Sequence, residues 1–284
     1  MRSLLTALCL TLLVPAASAF AQDAEEEAPP VELIEAGAAP QRLLRHRFVA
    51  GQSQPVRLRV QSQMRMSIGT RVQMIPMPIM RMDIAFGPTE VTSEGHLRYA
   101  FRITDVGVSG GEREELNARV QETISGLIGA NGLTEIDDHG TVLEFDYQLP
   151  DGSSAELQQQ SHILREAMTR LLPRFPDEPV GVGARWRVTD DLPLPNMSVR
   201  VGTTYELTSW QGDFIEISVS TETVEGDGSD NRANVDVGGS GRLRFELGTL
   251  RMRGRVQTIA AAQIRGPQGE MRMRIRTRMQ VSPN

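Results

Sequence analysis

The chain has 284 residues, 39% of them hydrophobic, and a formal net charge of −6; it is long enough to bury a sizeable core and too apolar for general disorder. All 30 basic residues are arginine, which excludes chemistry built on lysine: Schiff bases, phosphate-binding P-loops and Ser-Lys hydrolases. The one cysteine, Cys9, lies in the N-terminal apolar run and leaves no thiol or disulfide chemistry to the residues after it.

Met1-Arg2, an apolar run from Leu4 to Val14, and Ala17-Ser18-Ala19-Phe20-Ala21 carry the three regions of a secretory signal peptide. About 10 apolar residues cannot cross a ~30 Å bilayer. The pattern predicts cleavage near Ala21 and a periplasmic or secreted protein with no transmembrane segment in the mature chain. Leu8 is too bulky before Cys9 for a lipid-attachment site. Residues 22–40, acidic and rich in Ala and Pro, read as a flexible leader. A single β-rich domain is expected over residues 41–284.

From Val56 to Phe86 the even positions are largely apolar, among them Val60, Met64, Met66, Val72, Met74, Met80, Met82 and Ile84. Side chains alternate along a strand, so this parity predicts a long hairpin turning near Gly69-Thr70, with Pro76 and Pro78 at an edge or bulge. Further strands follow around Val91 and at Leu97–Ile103. Between Glu112 and Ile128 the period changes: Leu116, Val120, Ile124 and Leu127 fall on one helical face, with acids in the first turn. A hairpin with Asp137-Asp138-His139-Gly140 as its turn runs to Leu149. Ser153 or Ser154 then caps a second helix over 155–172.

Strand alternation returns after Trp186, at Val199–Leu207 and Ile215–Val219. Residues 225–241 read as a Gly/Asp/Asn loop, and two last strands turn at Gly266-Pro267-Gln268-Gly269. The final strand, from Met271 to Val281, places Met271, Met273, Ile275 and Met279 on one side and Arg272, Arg274, Arg276 and Arg278 on the other. Charge is distributed unevenly along the sequence. Residues 40–72 hold seven arginines and no acid, residues 87–240 hold 27 acids against 11 arginines, and residues 241–284 hold ten arginines against two acids. The two basic segments are candidates for neighbours in the sheet.

The turn FPDEPVGVGARW at 175–186, the strand TTYEL, the segment GSGRLRFEL and the Met-alternating strands resemble an uncharacterised family of bacterial envelope proteins, a domain of unknown function with a Pro-x-x-Pro-Val-x-Val-Gly-Asp-x-Trp signature. The resemblance covers roughly residues 41–284 and implies a fold but no activity. Pro179, Gly181, Gly183 and Trp186 carry the motif; Ala184 stands where the family has Asp. The two glycines read as turn geometry that places Trp186.

The chemistry-bearing residues are scattered. His46, His96, His139 and His162 lie far apart and without zinc-site spacing, so they read as dispersed surface histidines. No nucleophile elbow or dinucleotide fingerprint occurs. Asp227–Asn231 resembles half a calcium loop but lacks its glycine and its bidentate glutamate. The reading is therefore a protein that is not an enzyme, with no cofactor and no metal.

The fold expected is α+β and mostly β: one long curved antiparallel sheet, open and barrel-like, of about ten strands, with two amphipathic helices on its apolar face. Two functions fit it. In the first, the Met-rich face, with Met64, Met66, Met80, Met82, Met252, Met271 and Met273, holds a lipid or other apolar molecule. In the second, that face is a filled core, and the protein is an interaction module that binds an envelope partner through Arg272, Arg274, Arg276 and Arg278. The same arginine row also reads as a solvated face neutralised by Glu206, Glu216, Glu222 or Glu246 on neighbouring strands. Nucleic acid is not expected, because aromatic residues do not interleave with the arginines.

Overall fold

Alternation of apolar and polar residues, over runs of up to 15 residues, places most of the described residues in strands. The structure, a computed structural model, describes residues 31–51, 55–111, 113–154, 157–158, 172–194, 197–224, 233–266 and 269–284. Residues 1–30, which include the expected signal peptide, the Asp227–Asn231 segment and most of the second expected helix lie outside these residues.

Thirteen strands and one α-helix are described: β1 (Val31–Glu35), β2 (Val56–Ile68), β3 (Arg71–Pro76), β4 (Ile79–Val91), β5 (Leu97–Ser109), α1 (Glu114–Ser125), β6 (Asn131–Ile136), β7 (Val142–Gln148), β8 (Arg185–Leu194), β9 (Met197–Gln211), β10 (Phe214–Thr223), β11 (Ala233–Glu246), β12 (Met252–Gly266) and β13 (Gly269–Pro283). They form one antiparallel sheet in the order β1-β8-β9-β10-β11-β12-β13-β2-β4-β5-β6-β7, with β3 paired to β2. β1 and β7 stand at opposite ends, so the sheet is not closed into a barrel. Among the described residues no helix is long and apolar enough to cross a membrane.

The strand count exceeds the expected ten for identifiable reasons. Val31–Glu35, assigned from composition to the leader, pairs with β8 (Val31 opposite Val188, Leu33 opposite Trp186), and the chain after it is also held, with Gly181 N donating to Ala36 O and Ala38 N to Val182 O, each at 2.8 Å. Strand pairing is thus present ten residues before Gln41. Residues 233–241, read as loop, belong to β11; cross-strand pairing with β12 holds Gly238, Gly239 and Gly241 in extended backbone. Of the two expected helices, α1 packs Val120 and Ile124 into the core. For the other, only its start is described: the Leu157 N–H donates to Ser154 Oγ at 3.2 Å, and Leu157 is buried.

The core lies on one face of the sheet, called inner here, with Val60, Met80, Ile84, Phe101, Leu207, Ile217 and Val281. Residues 42–49 tie distant parts of the curled sheet together. Arg42 N donates to Val180 O (3.0 Å), His46 N to Asp138 O in the β6–β7 turn (2.8 Å), and Arg47 N to Leu247 O after β11 (2.7 Å). Trp186 is fully buried, with its indole N–H given to Arg174 O at 2.8 Å, and it stacks on Tyr205. Its partners explain the glycine turn: Gly183 has a left-handed φ of +88°, and a Cβ at Gly181 would collide with Ala38 O. Ala184, which follows this turn, is wholly buried, where an unpaired carboxylate would be costly.

Candidate functional site

Cross-strand register places all seven candidate methionines on the inner face. Met66 lies opposite Met273, Met64 opposite Ile275, and Met271 opposite Ile68. Met80 and Met82 face Val60 and Leu58 from β4, and Met252 enters from β12 opposite Phe245. They share a face, but not an environment. Met64, Met80, Met82 and Met252 are each 3% exposed, packed among aliphatic neighbours as filled core. Met66, Met271 and Met273 are half-buried, and Ile68 beside them is 46% exposed.

A row of buried hydroxyls crosses this face, and beyond it the face is filled at Met64 and Ile75 and partly open towards Met66 and Ile68. Thr258, Thr277 and Ser62 are directly opposed across β12, β13 and β2 and all are buried; Ser62 and Thr277 share a hydrogen bond of 3.2 Å. Beyond this row β12 offers Ala260 and Ala262, opposite Ile275 and Met273 on one side and Val237 and Val235 on the other. Two methyl groups between taller side chains make a shallow apolar trough. The signal in the sequence is TIAAAQI, whose three successive alanines place Ala260 and Ala262 on one face of the strand. A separate open cleft of about 390 Å³ lies where small residues of β4, β5 and β6 (Ala85, Gly87, Ala100, Gly132) leave room; none of the methionines lines it.

The outer face is basic. Arg272, Arg274, Arg276 and Arg278 are exposed there, and their neighbours on either side are Ser67, Arg65, Gln63 and Gln61 on β2 and Gln263, Ala261, Ile259 and Gln257 on β12. β2, β3 and β12 contain no acid, and β13 contains only Glu270. Arg272 binds Glu270 at 2.7 Å and Arg278 donates to Gln257 at 3.1 Å. Among the described residues Arg65, Arg274 and Arg276 have no carboxylate within 4.0 Å. Of the acids considered as neutralisers, Glu216 reaches only Arg244 (3.8 Å), Glu246 reaches Arg251 (3.2 Å), and Glu222 pairs with Arg187. These acids do not reach the row because β13 lies between two basic strands.

At β4 and β5, by contrast, two arginines of the outer face are paired with acids. There the buried carboxylate of Asp83 takes two hydrogen bonds from Arg57 (2.7 and 2.9 Å) and one from Arg81 (2.9 Å), and Arg81 also pairs with Asp105. The Arg57 hydrogen bond holds the Asp83 pKa below the ordinary carboxylate range against the opposing effect of burial.

The histidines remain apart. His96 bonds Glu135 at 3.0 Å, beside Arg98 on the same carboxylate. His139 sits in the β6–β7 turn, where Asp137 Oδ1 accepts from the backbone N–H groups of His139 and Thr141, an Asx turn rather than a catalytic pair. His162 lies outside the described residues. His46, expected at the surface, is instead buried between Phe48 and Phe175. Among the described residues no group of three or more His, Cys, Asp or Glu side chains is placed to hold a metal ion. No protein-family model matches the chain, and a search of curated proteins gives no match.

Proposed function

We propose that the protein is a non-enzymatic binding protein of the bacterial envelope that holds a lipid acyl chain or a similar apolar molecule against the open half of its inner face. The supporting observation is the trough over Ala260 and Ala262, beside the half-buried Met66, Met271 and Met273. Unbranched, polarizable thioethers adapt to irregular apolar ligands, and the cross-strand register presents them on one side of the sheet. The signal-peptide pattern and the resemblance to an envelope family support the location. The filled part of the face, which includes Met64, Met80, Met82 and Met252, anchors the fold and takes no part in binding.

Native mass spectrometry of the protein purified from its own cells, followed by solvent extraction, tests this reading. A reproducible apolar adduct is expected, lost when Ala260→Phe and Ala262→Phe together fill the trough, while thermal unfolding stays cooperative. A protein that is consistently empty, or an adduct indifferent to both substitutions, would overturn it.

A further inference from the structure

The outer face combines two features on one side of β2, β3 and β13. The first is a charge lattice. Arg274 is directly opposite Arg65, and Arg276 and Arg278 continue the line on β13. Guanidinium groups therefore recur about every 7 Å along the strand, with neighbouring strands about 4.8 Å away. Like charges directly opposite one another are unfavourable, and no carboxylate among the described residues relieves these. The second feature is apolar. The hairpin at Gly69-Thr70 pairs Ser67 with Val72 and Arg65 with Met74, which puts Val72 and Met74 on the arginine side, 55% and 57% exposed.

We propose that this face is a docking surface for a bilayer rich in anionic phospholipid, with Arg65, Arg274, Arg276 and Arg278 on the headgroup phosphates and Val72 and Met74 entering the headgroup–acyl boundary. Charge complementarity favours an anionic partner, since arginine's planar fork accepts phosphate bidentately. The exposed valine and methionine beside it fit an interface that is polar above and apolar below. A nucleic acid fits less well: β2, β3, β12 and β13 contain no aromatic residue on which bases could stack. The sheet face also offers a broad lattice where a single-stranded polymer needs a groove. This inference concerns the opposite side of the sheet from the trough and does not depend on it.

Co-sedimentation of the protein as purified from its own cells with phosphatidylcholine vesicles, with and without phosphatidylglycerol, tests the docking surface. Binding at least tenfold stronger to the anionic vesicles is expected, and 0.5 M salt should abolish most of it, because screening shortens the reach of surface charge. Replacing Arg274, Arg276 and Arg278 together by glutamine should weaken binding about a hundredfold. The charge-neutral change Val72→Ser with Met74→Ser should weaken it several-fold at constant charge, which keeps the test decisive if the triple variant folds poorly. Equal binding to both vesicle types, or variants that bind like the wild type, would sink the proposal. So would inorganic polyphosphate binding as tightly as the vesicles with no dependence on Val72 and Met74, the outcome expected of a soluble-polyanion site.

Discussion

His46 is held between Phe48 and Phe175, with ring centroids 5.0 and 4.8 Å away, and neither of its ring nitrogens meets a partner at full hydrogen-bond geometry. Burial pushes its pKa down from 6.5 to about 4, opposed in part by the Leu247 backbone. A histidine whose folded pKa lies below its unfolded one binds fewer protons in the native state. Stability is therefore unaffected above about pH 6.5 and falls as the pH drops from there towards 4, by up to about 3 kcal/mol. Urea unfolding at a series of pH values checks this, and His46→Phe should flatten the slope in that window. The Asp83 carboxylate acts in a lower range, since a depressed carboxylate pKa loses its contribution only as the pH falls through and below the usual carboxylate values. Burial of His46 was not legible in the sequence, because a lone histidine beside two arginines reads as surface until Phe175 is brought to it from about 130 positions away. Gly181 was more legible. Its role as a turn residue could be read from its setting, but the particular need, the close approach of Ala38 O, arises from a segment that composition placed in the leader.

β3 shows how parity can mislead over a hairpin. A single even-position rule places Val72 and Met74 on the same face as Met64 and Met66. A two-residue turn instead pairs even positions with odd ones: Met64 lies opposite Ile75, and Met66 opposite Gln73. Even parity resumes in β4, where Val60 lies opposite Met80, because the Pro76-Met77-Pro78 break contributes one extra residue, as a bulge does. The sequence did place the prolines at such an irregularity; what it missed was the shift of face on the hairpin side of it. The contrast is measurable. Ile75→Ala, at a site 9% exposed, should cost about 2 to 4 kcal/mol, whereas Met74→Ala, at a site 57% exposed, should stay within about 0.5 kcal/mol. Equal costs in denaturant unfolding would mean that both side chains face the core.

Across the whole molecule charge is sorted by strand. The acidic middle of the sequence supplies β5 to β10, and the two basic segments meet at β13 and β2 in the centre of the sheet order. This adjacency has an energetic cost where Arg65 and Arg274 stand opposite each other. Arg274→Gln should stabilise the fold by about 0.2 to 1 kcal/mol at low ionic strength, and the gain should shrink in 0.5 M salt as screening removes the repulsion. Parallel urea titrations at the two salt concentrations would decide it. A surface whose charges repel in the isolated protein is one that an anionic partner relieves, which links this stability measurement to the docking surface proposed above.

By itself the sequence determined that the chain is mostly strand, that methionines and aliphatic residues of β2, β4, β12 and β13 gather on one side with guanidinium groups on the other, and that a helix covers residues near Val120 and Ile124. These follow from periodicity, which is local and is fixed by the geometry of the backbone. The tertiary structure alone decided which strands are neighbours, and with that which half of the methionine face is filled, that no acid reaches the arginine row, and that Val31–Glu35 and the glycines of β11 are strands. Such features depend on pairing between residues far apart in sequence, where the partner's hydrogen bonds and burial outweigh the weak preferences of an acidic or glycine-rich segment.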